Sequence, residues 1–168
     1  MSQAMSRNKR QAIYPGSFDP VTNGHLDLIQ RASRIFDHVI IAVAANTNKR
    51  PLFTIEERVA MLKKAIARIQ GVSVETFNTL VIEYAQQKKI NVLLRGLRMT
   101  SDFEYEFQIA LTNRRLAEKV ETVFLMPSEH YSFLSSTLLK EVASLGADVS
   151  SFVPSFIEKE LKRRLMIR

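Results

Sequence analysis

Residues 13–25 combine glycine, hydroxyl and imidazole groups where a short apolar run gives way to a helical pattern. The segment is IYPGSFDPVTNGH, with two glycines and two prolines. Glycine and proline let the backbone turn sharply and approach a ligand closely, and the N–H groups of a helix start bind anions. Ser17 adds a hydroxyl and His25 a titratable donor. The segment predicts a phosphate-binding loop; the alternative is an ordinary strand-to-helix turn with an incidental histidine.

Cationic and hydroxyl side chains also follow later apolar runs. Lys49 comes after HVIIAVA, Arg95 and Arg98 flank a glycine directly after NVLL, and a hydroxyl-rich stretch at 128–137 follows ETVFLM. Arginine makes forked contacts to phosphate, whereas a lysine on a loop acts as a point charge. Positioning and fixed positive charge supply most of the catalysis in reactions of phosphate-bearing substrates. These residue types therefore fit a phosphate site, although a lone lysine is ordinarily a solvated surface charge.

Helical and strand patterns alternate along the chain and place these groups. Two capping boxes, Thr54 with Glu57 and Ser101 with Glu104, predict two helix starts. Gly146 predicts the end of a helix, and Pro154 predicts the first turn of the last helix. The predicted strands are 11–14, 38–44, 72–77, 91–94 and 121–126. The predicted helices are 25–36, 54–70, 80–88, 101–118, one from Ser135 or Ser136 to Gly146, and one from Pro154.

This alternation predicts an α/β fold, a doubly wound (Rossmann-like) five-stranded parallel sheet with helices on both faces in a single domain over residues 11–168. The nearly unbroken β-branched run at 38–44 is typical of a strand buried on both faces. Ligands bind such sheets outside the carboxyl ends of the strands. Each unusual segment follows a predicted strand, so we expect one site at that edge.

Composition sets the broad class. The chain has 168 residues, of which 46% are hydrophobic and 24% charged, as in an ordinary globular domain. It has no cysteine, and its formal charge of +7 suits a phosphate-rich partner. No run approaches the ~20 apolar residues of a membrane helix, so a cytoplasmic protein without a membrane partner is expected. Residues 1–10 are interpreted as a disordered basic lead or an extension added for expression.

The motifs resemble a known superfamily. Gly16-Ser17-Phe18-Asp19-Pro20 and Thr22-Asn23-Gly24-His25 resemble the G-[TS]-F-D-P and T-x-G-H signatures of the nucleotidylyltransferases. Over nearly its whole length the chain resembles the phosphopantetheine adenylyltransferase family within that superfamily. The resemblance implies transfer of AMP from ATP to 4′-phosphopantetheine, giving dephospho-coenzyme A and pyrophosphate by direct in-line attack without a covalent enzyme intermediate.

The resemblance also implies roles for individual residues. His25 is expected to stabilise the transition state, with Lys49 and Arg98 assisting as catalytic cations. The phosphopantetheine contacts implied are Ser17, Lys49, Leu80, Val81 and Arg95. The ATP contacts implied are Ser17, Phe18, His25, Gly96, Leu97, Arg98, Glu106, Tyr131, Ser132, Phe133, Leu134, Ser135, Ser136 and Thr137. Without the resemblance, Glu106 on a helix would most simply face water.

Cofactor and assembly expectations follow from the same resemblance. No dedicated metal site is predicted, because the three histidines lie on separate elements without ligand spacing. Mg²⁺ is expected to arrive with ATP, bound mostly by phosphate and water. The family forms homohexamers, and the same is implied here. Lys140, after the hydroxyl-rich segment, favours the phosphopantetheine branch over nicotinate or glycerol-phosphate branches.

Two alternatives stay open at this point. One is a sister nucleotidylyltransferase that uses another phosphate acceptor or CTP. The other is a basic nucleic-acid-binding module, suggested by the charge but lacking recognition motifs; the main interpretation predicts no nucleic-acid partner.

Overall fold

Five parallel strands form the centre of the molecule in a computed structural model that describes residues 9–45, 50–133 and 135–166. The strands are β1 (Gln11–Gly16), β2 (His38–Ala44), β3 (Val72–Phe77), β4 (Val92–Gly96) and β5 (Glu121–Leu125). Their order across the sheet is β3-β2-β1-β4-β5. The chain leaves β1 toward one edge and returns to the other side of β1 with β4, so the switch point lies between β1 and β4.

Six helices cover the two faces of the sheet in the described part of the chain. They are α1 (Asn23–Ile35), α2 (Ile55–Ala65), α3 (Val81–Lys88), α4 (Thr100–Leu116), α5 (Ser136–Ser144) and α6 (Ser155–Leu165). Alternate residues of β2 enter opposite cores: Ile41 packs on the side of α1, α2, α5 and α6, and Ile40 on the side of α3. The predicted α/β sandwich with a doubly buried central strand is confirmed. None of the helices described has the length and apolar character needed to cross a membrane.

Several predicted boundaries agree with the structure and others do not. The strands at 38–44 and 72–77 are confirmed at both ends, as is the capping box of Thr54 with Glu57. Gly146, with a φ of 82°, follows α5 as predicted. Pro154 is the N-cap of α6, one residue before the predicted position.

Two helix boundaries were predicted wrongly. Helix α2 ends at Ala65 instead of near Gln70, because the chain must turn back so that Gly71 can accept the Val39 N–H at 2.8 Å and start β3. Helix α4 begins at Thr100 with Met99 as its N-cap, two residues before the N-cap that the sequence predicted at Ser101. The predicted lead over residues 1–10 falls mostly outside the described residues, although Arg10 hydrogen-bonds Asp37.

Asp19 ties three segments together beside the end of β1. Its carboxylate accepts the backbone N–H groups of Leu52 and Phe53, both at 2.9 Å, and pairs with the Lys140 ammonium at 2.5 Å. Asp19 is only 4% exposed, so these contacts are shielded from water. The loop after β1, the connection into α2 and helix α5 are therefore fixed to one another through one carboxylate.

Replacing Asp19 with alanine should lower the free energy of unfolding by about 3 kcal/mol, because two backbone N–H groups and the partly buried Lys140 ammonium lose their acceptor. Urea unfolding followed by circular dichroism at fixed protein concentration measures this. The control is Glu160→Ala, which breaks an exposed pair with Arg163 and should cost less than about 1 kcal/mol. Equal stability of the two variants would contradict the role given to Asp19.

Candidate active site

A cavity of about 290 Å³ opens at the carboxyl ends of β1 and β4, at the switch point of the sheet. Its walls come from the β1–α1 loop, the end of β4, helix α4, the segment after β5 and the start of α5. Of the residues singled out from the sequence, those that line it are Ser17, Phe18, His25, Arg95, Gly96, Arg98, Glu106, Tyr131, Ser135, Ser136 and Thr137. The parallel topology thus gathers side chains that lie as much as 120 positions apart in the sequence.

His25 is held by the start of the helix that carries it. Thr22 is the N-cap of α1, and its hydroxyl accepts the His25 backbone N–H at 3.3 Å. In return, the Thr22 backbone N–H donates to His25 Nδ1 at 3.1 Å. This is a capping box in which imidazole takes the place usually filled by Glu or Gln. The spacing of threonine and histidine is therefore also a helix-capping device.

The capping contact fixes which nitrogen of His25 carries hydrogen. A backbone N–H can only donate, so Nδ1 must be the acceptor and Nε2 the protonated nitrogen of a neutral ring. Burial lowers the pKa of His25 to about 4, with a further contribution from the nearby Arg98 charge. His25 is therefore a neutral donor through Nε2 at physiological pH.

Aromatic packing supports the same ring. The Phe18 ring meets His25 edge-on with centroids 5.1 Å apart, and Tyr14 meets Phe18 edge-on at 5.4 Å. A side chain at Gly16 would collide with this stack, since a Cβ there would lie 2.9 Å from the Phe18 ring. The glycine of the motif is thus required by close packing of Phe18.

Arg95 on β4 and Glu106 on α4 form a forked ion pair in the lining of the same cavity. Arg95 Nε donates to one Glu106 oxygen at 2.7 Å and Nη2 to the other at 2.5 Å, and Nη1 donates to the Pro15 carbonyl at 3.1 Å. A guanidinium has five N–H groups, so two remain for a ligand in the cavity. Glu106 therefore orients Arg95 instead of facing water.

The hydroxyl-rich segment meets the cavity through the start of α5. Ser135 is the N-cap and accepts the Leu138 N–H at 3.0 Å, while the Ser136 hydroxyl donates to the Pro20 carbonyl at 2.9 Å. Backbone N–H groups in the first turn of α5 have no helical acceptor, so this end of the helix favours an anion.

A second carboxylate fixes the segment that leads to α5. Asp27 on α1 accepts the Ser128 backbone N–H and hydroxyl, both at 2.8 Å, and Arg31 contacts the same two residues. This holds Pro127 and Tyr131 at the rim of the cavity. A Cβ on Gly24 would lie 3.3 Å from the Tyr131 Cβ. The absence of a side chain at Gly24 therefore lets the segment that carries Tyr131 pack closely against the start of α1.

Other residues singled out from the sequence lie away from the cavity wall or outside the described chain. Leu80 is 59% exposed at the N-cap of α3, followed by Val81. The Leu97 N–H bonds the Leu125 carbonyl as a continuation of the sheet. Ser132 and Phe133 follow the 3₁₀ turn at 129–131 and do not line the cavity. Lys49 and Leu134 lie outside the described residues.

Sequence reasoning missed several residues of the site. Tyr14, Thr22, Leu28 and Pro127 line the cavity, and Tyr14 is 5% exposed, so burial raises the pKa of its phenol. A tyrosine at the end of an apolar strand was the available signal, because a buried phenol needs a polar neighbour. From the sequence, Thr22 was named only as part of a motif. Its role as the N-cap of α1 could be recognised only once the first residue of that helix was known.

The fold and this constellation define a nucleotidylyltransferase-type site, and the chain matches the Cytidylyltransferase-like family over residues 13–142. The chain belongs to this family.

Comparison with individual proteins gives a narrower similarity than the family does. The chain is 50% identical over 164 residues to a phosphopantetheine adenylyltransferase of Legionella pneumophila (strain Lens), covering 98% of this chain and 96% of that protein. It is 52% identical over 156 residues to the phosphopantetheine adenylyltransferase of Hahella chejuensis, covering 93% and 97%. A solved structure of a Vibrio parahaemolyticus protein shares the fold with a TM-score of 0.67 at 19% identity, covering 94% of each chain.

His25 should stay neutral until the pH approaches about 4. Because this pKa lies below the ordinary value of 6.5, the buried neutral ring stabilises the fold fully above pH 6.5, and this contribution is lost as the pH falls toward 4. NMR titration of the ring resonances, assigned with His25→Gln, measures the pKa, and the ¹⁵N shifts identify the protonated nitrogen. Titration near 6.5, or hydrogen on Nδ1, would contradict the capping geometry.

Proposed function

We propose that this chain transfers AMP from ATP to 4′-phosphopantetheine, giving dephospho-coenzyme A and pyrophosphate, a step of coenzyme A biosynthesis. Two relatives at 50% and 52% identity over nearly the whole chain carry the name phosphopantetheine adenylyltransferase. The observation that carries the chemistry is His25: a partly buried neutral imidazole that lines a cationic cavity at the switch point and accepts a hydrogen bond at Nδ1, which leaves Nε2–H as a donor.

The proposed step is a direct in-line displacement. An oxygen of the phosphopantetheine phosphate forms a bond to the α-phosphorus of ATP while the bond to the β-phosphate bridging oxygen breaks. Pyrophosphate leaves with that electron pair, and no bond to the protein forms. His25 Nε2–H donates a hydrogen bond to a non-bridging α-phosphate oxygen, which gains charge in the transition state. A neutral donor suits this role because no proton has to move.

Fixed positive charge brings the two anions together. Arg95, oriented by Glu106, has two N–H groups left for the phosphate of phosphopantetheine. Arg98 and the first turn of α5 line the part of the cavity assigned to ATP. Lys49 completes the proposed set, with Leu80 and Val81 along the pantetheine arm. Both substrate phosphates then lie against donors that are in place before binding, which lowers the reorganisation required.

Mg²⁺ belongs to the same proposal as part of the ATP substrate. Glu106 is the carboxylate in the cavity lining, and both its oxygens are used by Arg95. No cluster of three or more acidic, histidine or cysteine side chains suited to a metal ion occurs among the described residues. Phosphate oxygens and water would therefore supply the ligands. A cytoplasmic location is also proposed, because ATP is supplied there.

Pyrophosphate release tests the function. ATP or CTP is crossed with 4′-phosphopantetheine, nicotinamide mononucleotide and glycerol-3-phosphate, with Mg²⁺ and with excess EDTA. Turnover is expected only for ATP with phosphopantetheine and only with Mg²⁺. Turnover with CTP or another acceptor would support a sister activity, while salt-sensitive nucleic-acid binding without release would support the binding-module alternative.

A variant pair in the same assay tests His25. His25→Ala should lower kcat by about 10²–10³-fold, as loss of one transition-state donor does, with a smaller effect on KM for ATP. His38→Ala is the control, because His38 lies at the opposite end of β2 and bonds Ser73. Near-normal turnover of His25→Ala would remove His25 from the mechanism.

A homohexamer is proposed on the family resemblance, and helix α4 offers an apolar face for it. Phe103, Phe107 and Leu111 follow one another at helical spacing and are 45%, 45% and 48% exposed. The two phenylalanine rings stack with centroids 5.5 Å apart. A row of half-exposed apolar side chains on one helix is typical of a surface covered by another subunit.

Light scattering after size exclusion tests this assembly. The wild type should have six times the mass of one chain, and Phe107→Glu should reduce it because a charge in the interface is desolvated without a partner. Leu145→Glu is the control, since Leu145 is 81% exposed after α5. A monomeric wild type, or an unchanged mass of Phe107→Glu, would contradict the use of this face.

A further inference from the structure

Arg58 is a buried cation that the sequence did not single out. It lies on α2, is only 1% exposed and does not line the cavity. Its Nη1 donates to the Ser17 carbonyl at 2.7 Å and to the Ala44 carbonyl at 3.0 Å. One nitrogen thus joins the loop that follows β1 to the end of β2.

We propose that Arg58 is a positioning residue: it turns the peptide between Ser17 and Phe18 so that the Phe18 N–H faces the substrate phosphates. The proposal rests on the function proposed above and adds a backbone donor to it.

Peptide geometry carries the first step. The peptide after Ser17 is trans, so its C=O and N–H point in opposite directions. Arg58 holds the carbonyl on the α2 side, away from the cavity. The Phe18 N–H therefore points away from α2, toward the cavity that Ser17 and Phe18 line. A backbone N–H aimed at a phosphate is a typical anion contact.

The backbone conformation of Phe18 is strained, so contacts from other parts of the chain are needed to maintain it. Phe18 has a φ of 49°, in the left-handed region, which costs a non-glycine residue about 1–2 kcal/mol. Such a conformation persists only where surrounding contacts determine it. The Arg58 bond on one side and the packing of Phe18 against Tyr14 and His25 on the other supply those contacts. Movement of this peptide would also move the ring that supports His25.

The cost of Arg58 also points to a role beyond filling space. Its Nε has no hydrogen-bond partner within the described part of the chain, and a buried charge must be removed from water. An apolar side chain of similar volume would fill the same space without that penalty. The guanidinium remains charged when buried, so it holds the two carbonyls under all working conditions.

The kinetic test compares Arg58→Lys and Arg58→Met with the wild type in the full chain. We expect kcat to fall by about 10²-fold in Arg58→Met, as for a small misplacement of a reacting group. KM for both substrates should change much less, and Arg58→Lys should recover part of the loss through its single donor group. Wild-type pyrophosphate release is recorded in parallel, so a failure of the proposed function is seen separately.

Arg164→Met is the matched control. Arg164 pairs with Glu57, the neighbour of Arg58 on α2, and its guanidinium lies 5.3 Å from the Phe53 ring centroid. The Arg164→Met substitution therefore removes a contact of α2 but leaves the hydrogen bond from Arg58 to the Ser17 carbonyl in place. Melting temperatures are measured for all variants, and kcat should fall for the Arg58 variants but stay within about two-fold for Arg164→Met.

An NMR experiment tests the geometry without turnover. With ¹⁵N-phenylalanine labelling, the Phe18 amide resonance should move downfield when ATP alone is added to the wild type. That shift should be lost in Arg58→Met and reduced in Arg58→Lys, and the other phenylalanine resonances show whether each variant is folded. An unmoved Phe18 amide in the wild type, or an unchanged shift in Arg58→Lys, would overturn the proposal. A kcat loss of similar size in Arg164→Met and in Arg58 variants of equal melting temperature would overturn it as well.

Discussion

The hydrogen bond from the Thr22 backbone N–H to His25 Nδ1 is the constraint on which the site depends. It uses a donor that every helix start must satisfy to fix the tautomer of an imidazole. A glutamate in the same capping position would stabilise the helix equally well but would place negative charge at the cavity. Histidine instead presents a neutral N–H, and burial keeps it neutral by lowering its pKa. The capping contact at Nδ1 and the transition-state contact proposed for Nε2 thus use the two nitrogens of one ring.

Carboxylates around the site are used to hold segments together. Asp19 joins the β1 loop to α5, Asp27 holds the segment after β5, and Glu106 orients Arg95. Negative charge is therefore compensated within the protein, and donors line the cavity for anionic substrates. Since fields in a shielded cavity are stronger than in water, this division of charge favours two phosphate substrates that would otherwise repel each other.

The sequence predicted the strands better than the helix ends. The runs at 38–44 and 72–77 were placed correctly because β-branched alternation and continuous apolarity are local properties. The end of α2 was missed because it is set by the pairing of Gly71 with Val39, which no local pattern contains. The spacing of Ser101 and Glu104 predicted a helix start two residues too late, because α4 already begins where the chain leaves β4.

The same distinction holds for the site. Motif residues such as Ser17, His25 and Arg95 were found because parallel topology brings every strand end to one edge. Glu106 was named only as an ATP contact implied by the resemblance. Its pairing with Arg95 and the carbonyls held by Arg58 could not be predicted, because each depends on packing between separate elements of the fold. Motif residues that line the cavity can be recognised in the sequence, whereas residues that orient them, such as Arg58, resemble ordinary helix residues until the fold is known.

Assembly of the site is therefore coupled to assembly of the sheet. Arg95 Nη1 donates to the Pro15 carbonyl across the switch point between β1 and β4, a contact between residues 80 positions apart. The oxygen that Arg95 bonds and the loop that carries Ser17 belong to the same strand end, so the cation and the phosphate loop cannot be positioned independently. A shift of β4 against β1 would displace Arg95, the proposed phosphate contact, relative to the loop that leads to His25. The order of the strands thus sets how Arg95 and the loop after β1 lie relative to each other, whereas the chemistry of the site depends on the loop residues that the fold presents there.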